Sequence, residues 1–195
     1  MSDYWHEPIQ GHLRNPPKNL GRSAYAVEVD PWARRGEIEA ALLFRGSIVS
    51  AFGYIETRLS ELAIRTSVMD EYFGLREKLP FPFGKRVKYL REIFKLPPLM
   101  KYQPYACQFL DRLEENYELR NLVAHARMQV SPDWGITFIL YQHGDGNQII
   151  EVRKRILLSE LEKAAWQLSR LSRLAQLLLE RLEQDGILPS IIEAS

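Results

Sequence analysis

A long run of apolar residues at helical spacing, from residue 31 to residue 67, constrains the fold most. We expect one helix here, with Asp30 as N-cap and Pro31 at the first helical position. Residues three and four apart share a helix face, so the pattern predicts an apolar inner face. That face is carried by Ile38, Leu42, Val49, Phe52, Leu59 and Ala63, and is broadened by Ala41, Ile48, Ile55 and Leu62.

Three further segments show the same period. They predict a short helix over residues 85–95, a continuous helix over 104–127, and a last helix from residue 159 to near Gly186. For the last helix we expect Ser159 as the cap, with Glu162 completing a capping box. Glycine after the final turn is typical of a helix end.

Before the last helix the period changes to alternation. Residues 127–130, 136–142 and 148–155 are predicted strands, separated by the turn-forming residues 132–135 and 144–147. The sequence therefore predicts a mainly α protein, a helical bundle with a small antiparallel β-meander inserted before the last helix.

The N-terminal residues 1–30 are polar and rich in proline and glycine, and we interpret them as an extended arm. Residues 31–195 are long enough for one hydrophobic core, which predicts a single helical domain. The one cysteine, Cys107, allows no intramolecular disulfide. We see no apolar leader and no uncharged run that could span a bilayer, so we expect a cytoplasmic protein without a membrane partner.

The charge balance is close to neutral, with 26 Lys plus Arg against 25 Asp plus Glu. This argues against a protein that binds nucleic acid with its whole surface, but it does not exclude a local basic patch. Residues 85–91 and 153–155 are basic stretches that could touch RNA phosphates or could simply be solvated. We find no phosphate-binding loop, dinucleotide fingerprint or metal-ligand spacing, so we expect no cofactor and no metal.

Two charged residues, Glu56 and Arg120, fall on predicted apolar faces. Burying an unpaired charge costs several kcal/mol, so each is expected to pair with the other or to border a polar cleft. Taken alone, the pair could be a structural contact that fixes helix register.

Asn121 and His125 stand beside Arg120 on the same predicted helix. An imidazole exchanges a proton near neutral pH, an arginine can hold a phosphate, and an asparagine can orient either group. This combination suits phosphodiester chemistry without a metal. A histidine at a helix edge can also be structural.

The run Arg120-Asn121-Leu122-Val123-Ala124-His125 resembles the signature of the HEPN superfamily. That signature is an arginine, often followed by a polar residue, with a histidine after a total gap of four to six residues on a late helix of a bundle. The acidic residue of an early helix is matched by Glu56. The β-meander departs from the plain HEPN bundle.

The resemblance implies a metal-independent endoribonuclease, a toxin or defence protein that pairs two motif helices across a homodimer. It implies that His125 is the acid/base, that Arg120 binds the scissile phosphate, and that Asn121 and Glu56 support them. It also implies an RNA substrate, and an antitoxin or a nucleotidyltransferase as partner. Other HEPN domains are non-catalytic dimerisation or binding modules, and that alternative stays open.

Overall fold

The computed structural model describes residues 27–29, 34–75, 82–131, 135–144 and 148–191. Two short 3-10 helices, at Asp70–Leu75 and Leu99–Tyr102, lie among five α-helices and four strands in this part of the chain. The helices are α1 (Arg35–Ser67), α2 (Phe83–Ile93), α3 (Gln103–Glu115), α4 (Tyr117–His125) and α5 (Leu158–Gln184), and the strands are β1 (Val27–Val29), β2 (Arg127–Val130), β3 (Gly135–His143) and β4 (Ile149–Leu157). The predicted mainly α fold with a meander before the last helix is confirmed.

Helix α1 begins at Arg35, four residues after the predicted start. The Glu37 side chain turns back and its Oε2 accepts a hydrogen bond of 2.9 Å from the Arg34 backbone N–H. Glu37 thus supplies one half of a capping box from the third helical position, which fixes the first turn. The predicted cap Asp30 and Pro31 lie outside the described residues.

The inner face of α1 is rotated from the predicted one. Leu42 and Val49, expected inside, are exposed, whereas Ala41, Ile48 and Ile55 are fully buried. At 3.6 residues per turn Leu42 and Val49 lie roughly 80–100° around the helix from the centre of the buried stripe. The prediction that Leu42 and Val49 lie on the inner face was therefore wrong. Ala41, Ile48 and Ile55, which were expected only to broaden that face, lie at its centre.

The predicted continuous helix over 104–127 was also wrong, because it is interrupted at Asn116. The Asn116 amide Nδ2 donates to the Arg112 carbonyl at 2.8 Å, and its backbone N–H bonds to the Leu113 carbonyl. Asparagine side chains compete in this way for carbonyls that a helix would use. Helix α3 ends before Asn116, and the shorter α4 carries the Arg120–His125 sequence.

The three predicted strands form the meander. Strand β2 pairs antiparallel with β3, and β3 pairs antiparallel with β4. The residues predicted to form the two turns lie mostly outside the described residues. A fourth strand, β1, pairs parallel with β2, so residues 27–29 of the predicted arm extend the sheet.

Helix α5 follows β4 without a loop, and its start differs from the predicted one. The Leu157 backbone N–H donates to Glu160 Oε2 at 2.8 Å. Glu160 therefore caps the first turn, whereas Ser159 lies inside the helix and Ser159 with Glu162 is not the capping box. The predicted end is confirmed, since Gly186 has a φ of 66° just after the last turn.

The chain divides into two compact units. The first unit comprises the chain up to Ser47 and Leu119–Ala165, and the second comprises Ile48–Glu118 and Trp166–Ser195. Met128, Val130, Ile136 and Phe138 of the sheet are buried in the first unit. Phe52, Phe83 and Tyr117 cluster in the second, where the rings of Phe83 and Tyr117 stack with centroids 4.2 Å apart. Whether residues 31–195 behave as one domain stays a prediction.

Among the described residues, α1 meets the length and composition criteria for a helix that could cross a membrane. An 18-residue window within it has a mean hydropathy of 1.4, and 33% of that window is buried. Core helices of soluble proteins meet the same criteria, so this feature is compatible with the expected soluble protein and is weak evidence for a membrane span.

Candidate active site on helix α4

Helix α4 is anchored on one side by Leu122 and Val123, which are buried in the first unit. Arg120, Asn121 and His125 occupy the remaining arc, about 140° wide at 100° per residue. Ala124 lies between Arg120 and His125 on that arc and presents only a methyl group. The geometry of the helix therefore brings three of the four predicted site residues to one side.

The Arg120 guanidinium is held by its neighbour in sequence. Its Nη1 donates a hydrogen bond of 3.0 Å to Asn121 Oδ1, and both side chains are half-buried. Arg120 was predicted to face the core, and it is only partly withdrawn from solvent. A guanidinium has five N–H donors in a planar fork, so a group held in this way can also meet an anion.

His125 is the last residue of α4 and its side chain is exposed. The backbone N–H of the next residue, Ala126, still bonds to the Leu122 carbonyl at 2.9 Å, so the last turn of α4 is closed by a backbone hydrogen bond. The chain then enters β2 at Arg127. His125 is thus fixed at the junction of a helix and a sheet, with its side chain exposed.

Arg45 of α1 closes the C-terminal end of α4, and the sequence reasoning missed it. Its Nε donates to the Val123 carbonyl at 2.8 Å and its Nη2 to the Ala126 carbonyl at 3.0 Å. The Val123 carbonyl lies in the last turn of α4 and the Ala126 carbonyl directly follows it. Carbonyls at the C-terminal end of a helix have no intrahelical partners, and this end favours a cation. The side chain of Arg45 is buried, so this cap sits in the core of the first unit.

A signal for Arg45 was present in the sequence. Arg45 stands four residues after Ala41 and three before Ile48, on the apolar stripe of the first helix. The reasoning that singled out Glu56 and Arg120 applies equally to Arg45. The partners of Arg45 could not be predicted from the sequence, because they are backbone carbonyls and do not depend on residue type.

Glu56 lies half-buried on α1, in the other compact unit from Arg120. Its backbone carbonyl accepts a hydrogen bond of 3.1 Å from Arg86 Nη1 of α2. The pairing of the Glu56 side chain with Arg120 stays a prediction.

The basic stretch on α2 also makes contacts within the protein. Arg91 Nη2 donates to Asp111 Oδ1 and to Glu114 Oε2, each at 2.6 Å. Partial burial of the guanidinium has the largest single effect on its pKa and lowers it. The two carboxylates together outweigh burial, so the pKa of Arg91 is raised. Arg91 is therefore part of an ion-pair network in the second unit.

Two other kinds of feature can mark a functional site, a metal-ligand cluster and a cavity. Within the described ranges no three or more His, Cys, Asp or Glu side chains are grouped as metal ligands. A cavity of about 370 Å³ lies between α3 and α5 in the second unit and is lined mainly by apolar side chains, Phe109 and Leu171 among them. It contains none of the four predicted site residues.

No protein-family model, curated protein or solved structure matches the chain. The functional interpretation therefore depends on the chemistry of α4 and its surroundings.

Proposed function

We propose that the protein is a metal-independent endoribonuclease of the HEPN type. The observation that supports it most is the arc of α4 that holds Arg120, Asn121 and His125 on one side. An anion-binding guanidinium oriented by an amide, next to an exposed imidazole, is the minimum needed to cleave a phosphodiester that supplies its own nucleophile.

RNA carries that nucleophile, the ribose 2′-hydroxyl. His125 accepts the 2′-hydroxyl proton as the 2′-oxygen attacks the adjacent phosphorus. The bond from phosphorus to the 5′-oxygen breaks, the leaving oxygen takes a proton from an imidazolium, and a 2′,3′-cyclic phosphate remains. One proton is removed and one is returned, so the reaction needs no redox partner and no cofactor.

Arg120 binds the scissile phosphate and stabilises the negative charge that grows on its oxygens. Its bond to Asn121 reduces the number of conformations the guanidinium must give up when the phosphate binds. Arg45 fixes the backbone of the last turn, which carries His125. We assign Glu56 a supporting role toward Arg120, as the family resemblance implies.

We further propose a homodimer that brings two copies of α4 into one site, as the HEPN resemblance implies. Exposed leucine, valine and isoleucine side chains on α1 support this, since a soluble monomer usually covers such a surface. A toxin or defence role, with an antitoxin or a nucleotidyltransferase as partner, belongs to the same proposal.

The proposal is tested by incubating the full chain with a single-stranded RNA and a DNA of the same sequence, in excess EDTA. We expect cleavage of the RNA alone, because DNA lacks the 2′-hydroxyl. Treatment of the fragments with a phosphatase before and after acid should reveal 2′,3′-cyclic phosphate ends. If the RNA is bound and stays uncut, the alternative of a non-catalytic binding module replaces this proposal.

A further inference from the structure

The cavity between α3 and α5 has the size and the lining of a binding site for a small organic molecule. It has a volume of about 370 Å³ and lies within the second unit. Its inner wall includes the buried Phe109 and Leu171, and the exposed side chains of Tyr105, Leu174 and Leu177 lie around its opening. Sites for small ligands have volumes of roughly 300–1,000 Å³ and mostly apolar walls.

The cavity is elongated along the two helices. The residues that line it extend from Tyr102 to Arg112 and from Leu171 to Arg181. At 1.5 Å per residue each of these stretches is about 15 Å long. The Tyr102 hydroxyl donates to the carboxylate of Asp185, which directly follows α5, so the two helices run antiparallel along the cavity. Arg112 and Arg181 therefore lie at opposite ends of it.

The charged residues that line the cavity are both arginines. They are Arg112 and Arg181, and none of the described residues in the lining is acidic. At one end Arg181 Nε lies 3.3 Å from Asp185 Oδ1, and Lys101 Nζ lies 2.7 Å from Oδ2 of the same residue. Two cations thus share one carboxylate at this end, so Arg181 is already engaged within the protein.

The other end of the cavity presents the guanidinium of Arg112. Across the ranges that the structure describes, this exposed side chain forms no hydrogen bond or ion pair with another residue. Glu115 follows Arg112 by three residues on α3, and Arg170 precedes Leu174 by four on α5. Since these two exposed neighbours have opposite charges, the guanidinium of Arg112 determines the sign of the charge at this end.

We propose that this cavity binds an unbranched hydrocarbon chain that ends in a carboxylate. The carboxylate binds to Arg112, and the chain lies along Phe109 and Leu174. The apolar walls provide affinity by removing hydrocarbon from water, and the guanidinium selects an anion and determines the orientation of the chain. The elongated shape favours a linear molecule over a compact one. The inference is independent of RNA cleavage, because none of the four proposed site residues lines the cavity.

Isothermal titration calorimetry of the full chain with sodium decanoate, below the concentration at which it forms micelles, tests the proposal. We expect one decanoate bound per chain. Decyltrimethylammonium, which has the same hydrocarbon chain length and a cationic head group, should bind on the order of tenfold more weakly. Octanoate should also bind on the order of tenfold more weakly than decanoate, because each buried methylene group contributes about fourfold in Kd.

Variants of the lining test where the ligand binds. Arg112→Gln should raise the Kd of decanoate on the order of tenfold, since it removes a hydrogen bond between two charged groups. The matched control is Arg173→Gln, which removes the same charge from an exposed position of α5 outside the cavity lining and should bind like the wild type. Leu174→Trp should abolish binding, because the larger side chain fills the cavity from its opening. Circular dichroism checks that each variant is folded.

Three results would overturn the inference. Equal losses for Arg112→Gln and Arg173→Gln would show that binding follows the total charge of the protein. Equal affinities for decanoate and decyltrimethylammonium would show that Arg112 does not select an anion. If decanoate does not bind at millimolar concentration, the cavity is not a site for such chains, and a change of mass in light scattering for Leu174→Trp would then assign it to a contact with a second copy of the protein.

Discussion

Three arginines of the first unit differ in how deeply the guanidinium is buried. Arg45 is buried and gives its donors to the Val123 and Ala126 carbonyls at the end of α4. Arg120 is half-buried and bonds to Asn121, on the arc of α4 where it can meet a ligand. Arg153 is exposed and pairs with Glu151. The buried Arg45 is therefore a structural cap, whereas in the proposed site the less buried Arg120 would bind the substrate.

Arg45→Met should destabilise the protein strongly. The substitution keeps much of the side-chain volume but leaves the two carbonyls without their donors, which should cost about 3 kcal/mol at roughly 1.5 kcal/mol for each bond from a charged donor. Urea denaturation followed by circular dichroism gives the free energy of unfolding.

The matched control is Arg35→Met on the same helix. Arg35 forms an exposed ion pair with Glu39, which should contribute less than about 1 kcal/mol. If the two variants lose the same stability, the Arg45 cap does not stabilise α4 as described.

At the scale of elements, hydrophobic period predicted most of the fold. The strands β2, β3 and β4 and the helices α1, α2 and α5 lie where alternation or helical spacing placed them, because burial of one face produces both patterns. The break at Asn116 was missed, since one asparagine does not disturb an apolar stripe that continues through Tyr117. The pairing of β1 was missed because three residues are too few to show a period.

Only part of the candidate site could be predicted, because only part of it depends on local spacing in the sequence. The spacing of Arg120, Asn121 and His125 is local, so the sequence determines their common side of α4. The cap from Arg45 joins residues that are 78 and 81 positions apart in the chain. Contacts between residues so far apart in the chain depend on tertiary packing, so no single segment of the sequence predicts them.

The end of α5 gives an element-scale prediction. Gly186 has a φ of 66°, its N–H bonds to the Glu183 carbonyl, and the Ile187 N–H bonds to the Leu182 carbonyl, which together form a Schellman motif. Gly186→Ala should therefore cost about 1 kcal/mol, because a Cβ disfavours this backbone conformation. Thermal unfolding should show a lower Tm.

Gly84→Ala is the control for Gly186. Gly84 lies in the first turn of α2, where a Cβ would meet no atom within 4 Å beyond the backbone of its own helix, and its φ is not in the left-handed region. Alanine should be neutral or slightly stabilising there, since it has the better helix propensity. A larger loss at Gly84 than at Gly186 would contradict the role given to the Schellman motif.

At the scale of the whole molecule, the proposed dimer would explain the apolar surface of α1. Leu43 is 64% exposed and Ile64 is 53% exposed on this helix. We expect light scattering at micromolar concentration to give twice the mass of the chain. Leu43→Glu should shift the protein toward monomer, because it would place a charge in a contact between apolar surfaces.

Ile149→Glu provides the comparison for Leu43→Glu, since Ile149 of β4 is also an exposed apolar residue but lies outside α1. It should leave the mass unchanged. A wild-type protein that is monomeric at every concentration tested would refute the dimer and, with it, a site built from two copies of α4.

The central claim is that His125 is the acid/base of an RNA-cleaving site, and single-turnover cleavage of RNA in EDTA tests it most directly. His125→Ala should reduce the rate by about 10²–10⁴-fold, the usual contribution of general acid/base catalysis, while circular dichroism stays unchanged. His143→Ala, at the exposed end of β3 in the same unit, should cleave like the wild type. Undiminished cleavage by His125→Ala would contradict the account.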